Sequence, residues 1–539
     1  MVRPMPNSTS PVRGPSRRAW LQRLGAVAGG GAVYAALSGL GLAQASPARA
    51  GFRLGPAPAR GRRVLILGAG VAGLVSALEL QRAGYEVEIL EYQDRIGGRC
   101  WTLRGGDRYT ELGGTPQHCQ FDRGQYFNPG PWRIPFHHHG VLDYCRQLGV
   151  KLEPFVQLNH NAYVHSPRVA GGRPQRLREV QADFRGDIAE LLAKLVRQQP
   201  LDEALTAEDR ERLIQALQQF GGLDREGRYR AGEAAADRRG FEPFPGMGVS
   251  AHPPEAQPQG LQALLRSGLW GQLDQGAGFE YQTPLFQPVG GMDRIAHALA
   301  QAVGMQRIRL RRRVSAIQQD AQGVRVQVQD LARPGQPMQT VQADWCICTL
   351  PLSVLSQLDV QCSTALREAI EAVPYFSAFK AGLQFRRRFW EEDEAIFGGM
   401  SSTELPIRLI AYPNHELQSR KGVLLGAYAF GTQALEFTSL PPAERLREVL
   451  RMDSLIHPQA GAEYDNGMTV GWHRHPATLG CFGDWSRVAR ERHYPTLLKM
   501  DGRLILAGEH ASLLPAWQEG AVLSARHAIT QLHEKARAA

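Results

Sequence analysis

Arg63-Val64-Leu65-Ile66-Leu67-Gly68-Ala69-Gly70-Val71-Ala72-Gly73 opens the folded part of this 539-residue chain. The run Val64–Leu67 is short, wholly apolar and suited to a parallel strand buried on both faces. It leads without a break into G-x-G-x-x-G and then a helical spacing of apolar residues at Leu74, Ala77, Leu78 and Leu80. Tyr85–Leu90 reads as a second strand, ending at Glu91. Each glycine has a separate task. Gly68 permits the tight turn, Gly70 lets a pyrophosphate approach the backbone, and Gly73 lets helix and strand pack closely, while the helix N-terminus presents free N–H groups to the phosphates. Glu91 stands where a carboxylate accepts hydrogen bonds from a ribose 2′-OH and would repel a 2′-phosphate. Strand, turn, helix, strand and acid in register predict a dinucleotide site, without separating NAD from FAD.

The next residues make that separation. Glu91-Tyr92-Gln93-Asp94-Arg95-Ile96-Gly97-Gly98-Arg99 continues the acid with D-R-x-G-G-R. Paired glycines expose backbone N–H groups and Arg99 adds a fixed charge, so both can close over a pyrophosphate held by the first turn. The pattern E-x-x-D-R-x-G-G-R resembles the flavin-containing amine oxidase family, which includes L-amino acid oxidases and polyamine oxidases. Arg503–Ala507 reads as a strand, followed by Gly508-Glu509 and by Pro515-Ala516-Trp517-Gln518-Glu519-Gly520-Ala521 leading into a final helix. The resemblance assigns Glu509 to the FAD ribityl chain and the stretch Trp517–Ala521 to the flavin ring. It also places Gly68, Gly70, Ala72, Gly73, Glu91, Tyr92, Gly98, Arg99, Pro131, Trp132, Arg133 and Val314 around the cofactor, Val314 meeting the adenine through its backbone from the strand Arg313–Ile317.

Three separated stretches would then build one FAD-binding lobe, 58–130, 284–355 and 486–535. The implied fold class is α/β and α+β: a Rossmann-like FAD domain, a helical insert over 131–283 and a mixed-sheet substrate domain over 356–485. In the insert, helix-like patterns occur at 140–148, 188–195 and 207–220, with Pro/Gly loops over 241–260; strands are expected around 381–385, 407–411 and 423–429. Cofactor sites favour such interdomain clefts.

Substrate class rests on a few side chains. Gly130-Pro131-Trp132-Arg133-Ile134-Pro135 looks like the segment of L-amino acid oxidases whose arginine binds the substrate α-carboxylate. A planar guanidinium meets a carboxylate with two parallel N–H···O bonds, and an amine oxidase without a carboxylate to bind has no use for it. The plain alternative for Arg133 is a surface arginine in an Arg-rich chain. Tyr428, on the apolar run Leu424–Tyr428, and Trp517 are expected to flank the substrate amine with their ring faces; an ordinary strand-core tyrosine is the alternative for Tyr428. Ala516 and Cys481 are placed at the same pocket. Glu519 either borders the distal pocket, favouring a cationic substrate, or caps the final helix.

Lys380 is one of only six lysines against 56 arginines, set in the apolar stretch Tyr375–Leu383 where an ammonium is costly. In the family, a lysine here holds a water beside the reacting flavin nitrogen, for oxygen chemistry and imine hydrolysis. The residues expected to carry the chemistry are therefore Lys380, Arg133, Tyr428 and Trp517. No metal is expected: His137-His138-His139 are adjacent, so their side chains should diverge, and no carboxylate lies nearby at ligand spacing. His510 reads as packing, and Cys346 with Cys348 as one face of a strand. Some L-amino acid oxidases use a histidine base from the helical insert; His252 lies in a comparable stretch, but no local motif transfers that role.

Composition bounds the rest. At about 150 residues per domain, the length implies two to four lobes. Net charge is +10, yet the first 50 residues hold six arginines and no acid, leaving 56 basic against 52 acidic residues beyond them. No nucleic-acid-binding module is visible. Seven cysteines without a C-x-x-C predict free thiols rather than a disulfide framework or a zinc site. Ser16-Arg17-Arg18, a Gly/Ala-rich apolar run over 24–43 and the small-residue sites Ala43-Gln44-Ala45 and Ala48-Arg49-Ala50 form the layout of a twin-arginine export signal. Residues 1–50 are thus expected to be a cleaved signal, the mature protein periplasmic or secreted without an integral membrane segment; an N-terminal anchor is the alternative. The resemblance implies FAD-dependent oxidative deamination of an L-amino acid with O2, in a homodimer. A monoamine or polyamine oxidase and a non-catalytic FAD-binding secreted protein are the competing readings.

Overall fold

A computed structural model describes residues 51–58, 61–198, 205–241 and 257–538. The expected signal over 1–50 and His252 lie outside the described residues.

The strand Arg63–Leu67 is the centre of a five-stranded parallel sheet, with Glu86–Leu90 and Ile308–Arg309 on one side and Trp345–Cys348 and Leu504–Leu506 on the other. Alternation along these strands feeds two separate cores. Val64, Ile66, Ile347 and Ile505 face one way and pack with the helices Val71–Ala83, Arg294–Val303 and Gln518–Ala538. Leu65, Leu67, Cys346, Cys348, Leu504 and Leu506 face the other way into a core shared with the four-stranded sheet that includes Arg312–Gln319 and Val324–Asp330. Burial on both faces explains why these strands read as continuous apolar runs. The sheet draws on the three stretches expected to make the FAD lobe. All seven cysteines are free thiols, Cys346 and Cys348 buried on one face as their spacing predicts.

A second, seven-stranded sheet has the strand Ala378–Phe385 between Gly422–Phe430 and Tyr464–Gly471, all antiparallel, with every residue of the middle strand buried. Its far side differs from expectation. The edge strands Tyr163–His165 and Gln175–Arg176 come from the stretch read as a helical insert, and Leu152–Phe155 pairs with Leu285–Pro288. The insert is helical at His139–Gln147, close to the expected 140–148, and again from Leu177 onward, through Leu177–Gln198, Ala207–Gly221, Glu233–Arg239 and Leu261–Ser267. Strands of two to four residues are too short to show a period, and Leu152–Phe155 and Tyr163–His165 also take partners more than 100 residues away in sequence, Leu285–Pro288 and Met400–Thr403. The helix Ala207–Gly221 starts at a reciprocal cap, in which Thr206 Oγ1 accepts from Asp209 N–H while Asp209 accepts from Thr206 N–H.

Glu519 departs from both readings offered for it. It neither borders the cavity described below nor caps its own helix. Instead it is 2% exposed, and its two oxygens accept the N–H groups of Gly140 and Val141, each at 2.8 Å. These belong to the first turn of His139–Gln147, whose own N-cap residue His138 supplies no side-chain cap. A negative charge at that turn satisfies two orphan donors and meets the positive end of the helix dipole. Glu519→Ala should therefore lower the thermal midpoint, at a cost of about 2–3 kcal/mol for two lost charge-assisted bonds, with Glu519→Gln in between. Equal midpoints for all three proteins, followed by circular dichroism, would contradict this account.

Candidate active site

The carboxyl ends of four parallel strands converge on one cavity of about 610 Å³, reached by Gly68 and Gly70 after the first strand, Glu91 after the second, Thr349 after the fourth and Gly508-Glu509 after the last. Its other wall comes from Pro129–Arg133, from Tyr428 and Phe430 on the antiparallel sheet, and from Ala516 and Trp517. Ligands of open α/β sheets sit at this edge because loops and helix N-termini, rather than packed side chains, close it.

The phosphate turn is shaped by three different environments. A Cβ on Gly73 would lie 2.0 Å from the carbonyl oxygen of Gly68, and one on Gly68 would lie 2.5 Å from Thr349 Oγ1, so both positions demand glycine. Gly68 also holds φ +104°. A Cβ on Gly70 would meet no atom within 4 Å, because this glycine faces the cavity. Glu91 is anchored by both oxygens: Oε2 accepts Ala69 N–H at 2.7 Å and Oε1 accepts Gln93 N–H at 2.9 Å. Burial raises its pKa, opposed by these two backbone bonds. The carboxylate retains lone pairs toward the cavity it lines. An open backbone face on the first helix turn, followed by a fixed acceptor, fits the diphosphate and ribose of FAD.

Arg99 reaches across the cavity wall, donating from Nη1 to Glu509 Oε1 at 2.7 Å and to the carbonyl of Cys481 at 2.8 Å. Burial alone would raise the pKa of Glu509, but the Arg99 guanidinium holds it below the ordinary carboxylate range. Ala516, at φ +70°, donates its N–H to Glu509 Oε2. Both acids lining the cavity, Glu91 and Glu509, are thus committed to protein donors.

Arg133 is not. Its Nε and Nη1 are buried without a hydrogen-bond partner, and no acid of the described residues forms an ion pair with it. Its guanidinium carbon instead lies 4.9, 4.6 and 5.7 Å from the ring centroids of Trp132, Tyr281 and Trp517. Burial disfavours the charge, while the facing hydroxyl-bearing rings of Tyr281 and Tyr428 act in the other direction. The backbone that carries Arg133 is clamped: Trp472 Nε1 donates to Pro129 O at 2.8 Å and Lys380 Nζ to Gly130 O at 2.6 Å. A Cβ on Gly130 would lie 1.9 Å from Arg99 O, so this segment runs against the D-R-x-G-G-R loop.

Most expected site residues line this one cavity: Gly68, Gly70, Ala72, Glu91, Tyr92, Gly98, Arg99, Pro131, Trp132, Arg133, Tyr428, Cys481, Glu509, Ala516, Trp517 and Ala521. Three do not. Gly73 lies behind the turn, in its packing role. Val314 is paired with Val328, its side chain in the apolar core, and does not reach the cavity wall. Lys380 is 1% exposed and sits behind the wall, its ammonium 4.3 Å from the Tyr428 ring centroid and 5.0 Å from that of Trp132. Sequence reasoning missed Tyr281, which belongs to no motif, and the aromatic wall of Phe376, Phe430 and Phe482.

The triple histidine also reads differently in three dimensions. His137 and His138 do not diverge: both present Nε2 to Glu280 Oε2, at 3.2 and 2.8 Å. The carboxylate missing from the local sequence is supplied from far along the chain.

Residues 71–532 match the family described as flavin containing amine oxidoreductase. The flavin-dependent L-tryptophan oxidase RebO of Lentzea aerocolonigenes is 31% identical over 501 residues, covering 87% of this chain and 97% of that protein. An L-amino-acid oxidase of Siganus canaliculatus is 28% identical over 492 residues, covering 88% of this chain and 85% of that protein. Among solved structures, cyclohexylamine oxidase from Brevibacterium oxydans superposes with a TM-score of 0.57 at 18% identity, covering 88% of this chain and 99% of that one. Wild-type putrescine oxidase bound to putrescine gives 0.55 at 18% identity, covering 87% and 98%. These two show the same fold.

Burial pushes the Lys380 pKa down to about 7 from 10.5, with Cys481 opposing and Arg133 adding to the shift. Between those values the unfolded chain holds a proton that the folded chain lacks, so this group favours folding more as pH rises through that window, and its full penalty applies below about 7. Relative to wild type, the thermal midpoint of Lys380→Met should rise as pH falls from 10.5 to about 7 and level off below. A difference that does not vary with pH would mean that the ammonium is solvated.

Proposed function

From a chain that belongs to the flavin-containing amine oxidoreductase family, we propose an L-amino acid oxidase, converting an L-amino acid, dioxygen and water to a 2-oxo acid, ammonia and hydrogen peroxide. The observation that carries this reading is the Arg133 guanidinium, buried at the cavity with two nitrogens unbonded and no acid beside it. An anionic ligand head is what such a group lacks. Two relatives named for the oxidation of L-amino acids, matched over most of their length, support the same substrate class.

FAD, when bound, supplies the two-electron chemistry, as acceptor for the substrate hydride and as donor to dioxygen. The chain does the rest. Gly70 and the helix it starts take the diphosphate, Glu91 accepts a ribose hydroxyl, and Arg99 with Glu509 closes the middle of the cavity. Arg133 takes the substrate carboxylate in a two-point grip, which fixes the Cα–H direction. Tyr428 and Trp517 flank the amine, held as the neutral form, and with Phe376 and Phe430 keep water from the reacting carbon. Lys380 contributes from behind the Trp132 and Tyr428 rings, where its charge stabilises the developing anion of dioxygen reduction.

A monoamine or polyamine substrate brings no carboxylate and would place its own cation beside Arg133, an unfavourable pairing in a dry site. Export by the twin-arginine route, a periplasmic or secreted location and a homodimer belong to the same proposal. The export reading rests on the pair Arg17-Arg18, the Gly/Ala-rich apolar run over 24–43 and the small-residue sites that follow it. Among the described residues no helix is long and apolar enough to cross a membrane.

Arg133→Ala should raise the KM for amino acids by roughly 30- to 700-fold, the equivalent of about 2–4 kcal/mol for a lost charge-assisted clamp. The flavin stays bound, and the weak turnover of the matching decarboxylated amines does not fall. Unchanged amino acid kinetics would remove the carboxylate grip. Separately, stopped-flow traces of Lys380→Met should show reoxidation slowed more than flavin reduction. The reverse order would reduce Lys380 to a clamp on the Gly130 backbone.

A further inference from the structure

We propose that His137, His138 and Glu280 form a binding site for a divalent transition cation of the zinc class, and that its occupation fixes the turn carrying Tyr281 over Arg133. The cation site stands apart from the oxidase reading and is tested by calorimetry alone, whereas its effect on amino acid turnover rests on that reading.

The three donor atoms, one from each side chain, all lie within 4.8 Å of one another. Two of the separations, 3.2 Å from His137 and 2.8 Å from His138 to the same Glu280 oxygen, are close to ligand spacing. A tetrahedral zinc ion with bonds of about 2.0–2.1 Å keeps its ligand atoms roughly 3.4 Å apart, so both histidines would draw back from the Glu280 oxygen by about 0.2–0.6 Å, and their own nitrogens, within 4.8 Å of one another, would settle to the same spacing. Adjacent histidines converge because the chain is not helical here: His138 is the N-cap of His139–Gln147, at φ −79° and ψ 66°.

A second observation points to a ligand. His137 Nδ1 is buried without a hydrogen-bond partner, and its Nε2 meets Glu280 Oε2 at 3.2 Å without the geometry of a hydrogen bond, an arrangement that costs free energy unless something binds the ring. Its ring is held in place by stacking on Phe279, with centroids 4.1 Å apart and planes 25° apart. A helix N-terminus ordinarily repels a cation, but the carboxylate of Glu519 occupies the first turn of this one and offsets its dipole. Two imidazoles and one carboxylate leave a fourth position for water or a ligand atom, the layout of an open zinc site.

The consequence for the cavity follows from chain connectivity. Glu280 sits in the short turn Phe279–Tyr281, between the ring that stacks on His137 and the ring 4.6 Å from the Arg133 guanidinium. His138 also packs edge-on against Trp517, with centroids 5.1 Å apart. A cation joining Glu280 to the two histidines therefore ties together residues on both sides of Arg133, and would restrict the opening through which a substrate carboxylate arrives.

The test is calorimetric titration of chelator-dialysed holoenzyme with zinc chloride in excess magnesium chloride, for wild type, His137→Gln and Glu280→Gln. The expected result is one zinc equivalent on wild type, weakened at least tenfold in either variant, while the flavin spectrum stays unchanged. In peroxide-release assays zinc raises the amino acid KM of wild type, EDTA reverses this, and His137→Gln keeps wild-type turnover without responding to zinc. Equal zinc affinity in all three proteins, or no saturable binding to wild type, would overturn the site. Zinc that binds wild type but leaves KM unchanged would overturn its link to the Tyr281 turn.

Discussion

A guanidinium with two nitrogens shielded from water and no counter-ion is the constraint around which this cavity is organised. Leaving a charge buried and unpaired costs on the order of several kcal/mol, and a protein tolerates it where the surroundings recover part of the cost and a ligand completes the pairing. Around Arg133 the recovery comes from three aromatic faces, each contributing about 0.5–2 kcal/mol as a cation–π contact. Mobility is also suppressed, since Trp472 and Lys380 grip the carbonyls at Pro129 and Gly130 and the Arg99 carbonyl backs Gly130. The backbone leading into Arg133 is thereby fixed against the cavity wall.

The two sheets divide the remaining work. The parallel sheet spends both faces on packing and keeps only its carboxyl edge for chemistry, where Gly70 offers open backbone and Glu91 a fixed acceptor. The antiparallel sheet brings Tyr428 and Phe430 to the same cavity from Gly422–Phe430, while Lys380 on the neighbouring strand Ala378–Phe385 stays behind them. Charges inside the cavity are consequently separated by task. Arg99 and Glu509 neutralise one another, while Arg133 lines the cavity without an acid beside it.

What could be read from the sequence follows from how local each signal is. The turn Gly68–Gly73, the acid at Glu91 and the loop through Arg99 declare themselves because the backbone geometry they require permits few other residues. Arg133, Tyr428 and Trp517 were legible through resemblance of their flanks. Tyr281 was not, since a tyrosine in a short turn carries no pattern. The strands Leu152–Phe155 and Tyr163–His165 were hidden inside a supposed helical insert because their length shows no period and each has a partner more than 100 residues away. Glu519 and the His137–His138–Glu280 cluster make the same point for side chains: one caps a helix almost 380 residues earlier and the other closes across some 140 residues. Val314 was named for a backbone contact, and its side chain packs into the apolar core beside Val328.

The most direct measurement is flavin difference spectroscopy of the holoenzyme titrated with benzoate and with benzamide, two rings of one shape that differ in charge. If Arg133 is the carboxylate partner, benzoate perturbs the spectrum at a Kd at least tenfold below that of benzamide, a gap of about 1.4 kcal/mol or more, and the preference disappears in Arg133→Ala. Equal affinities for the two rings, or a benzoate preference that survives the substitution, would contradict the account.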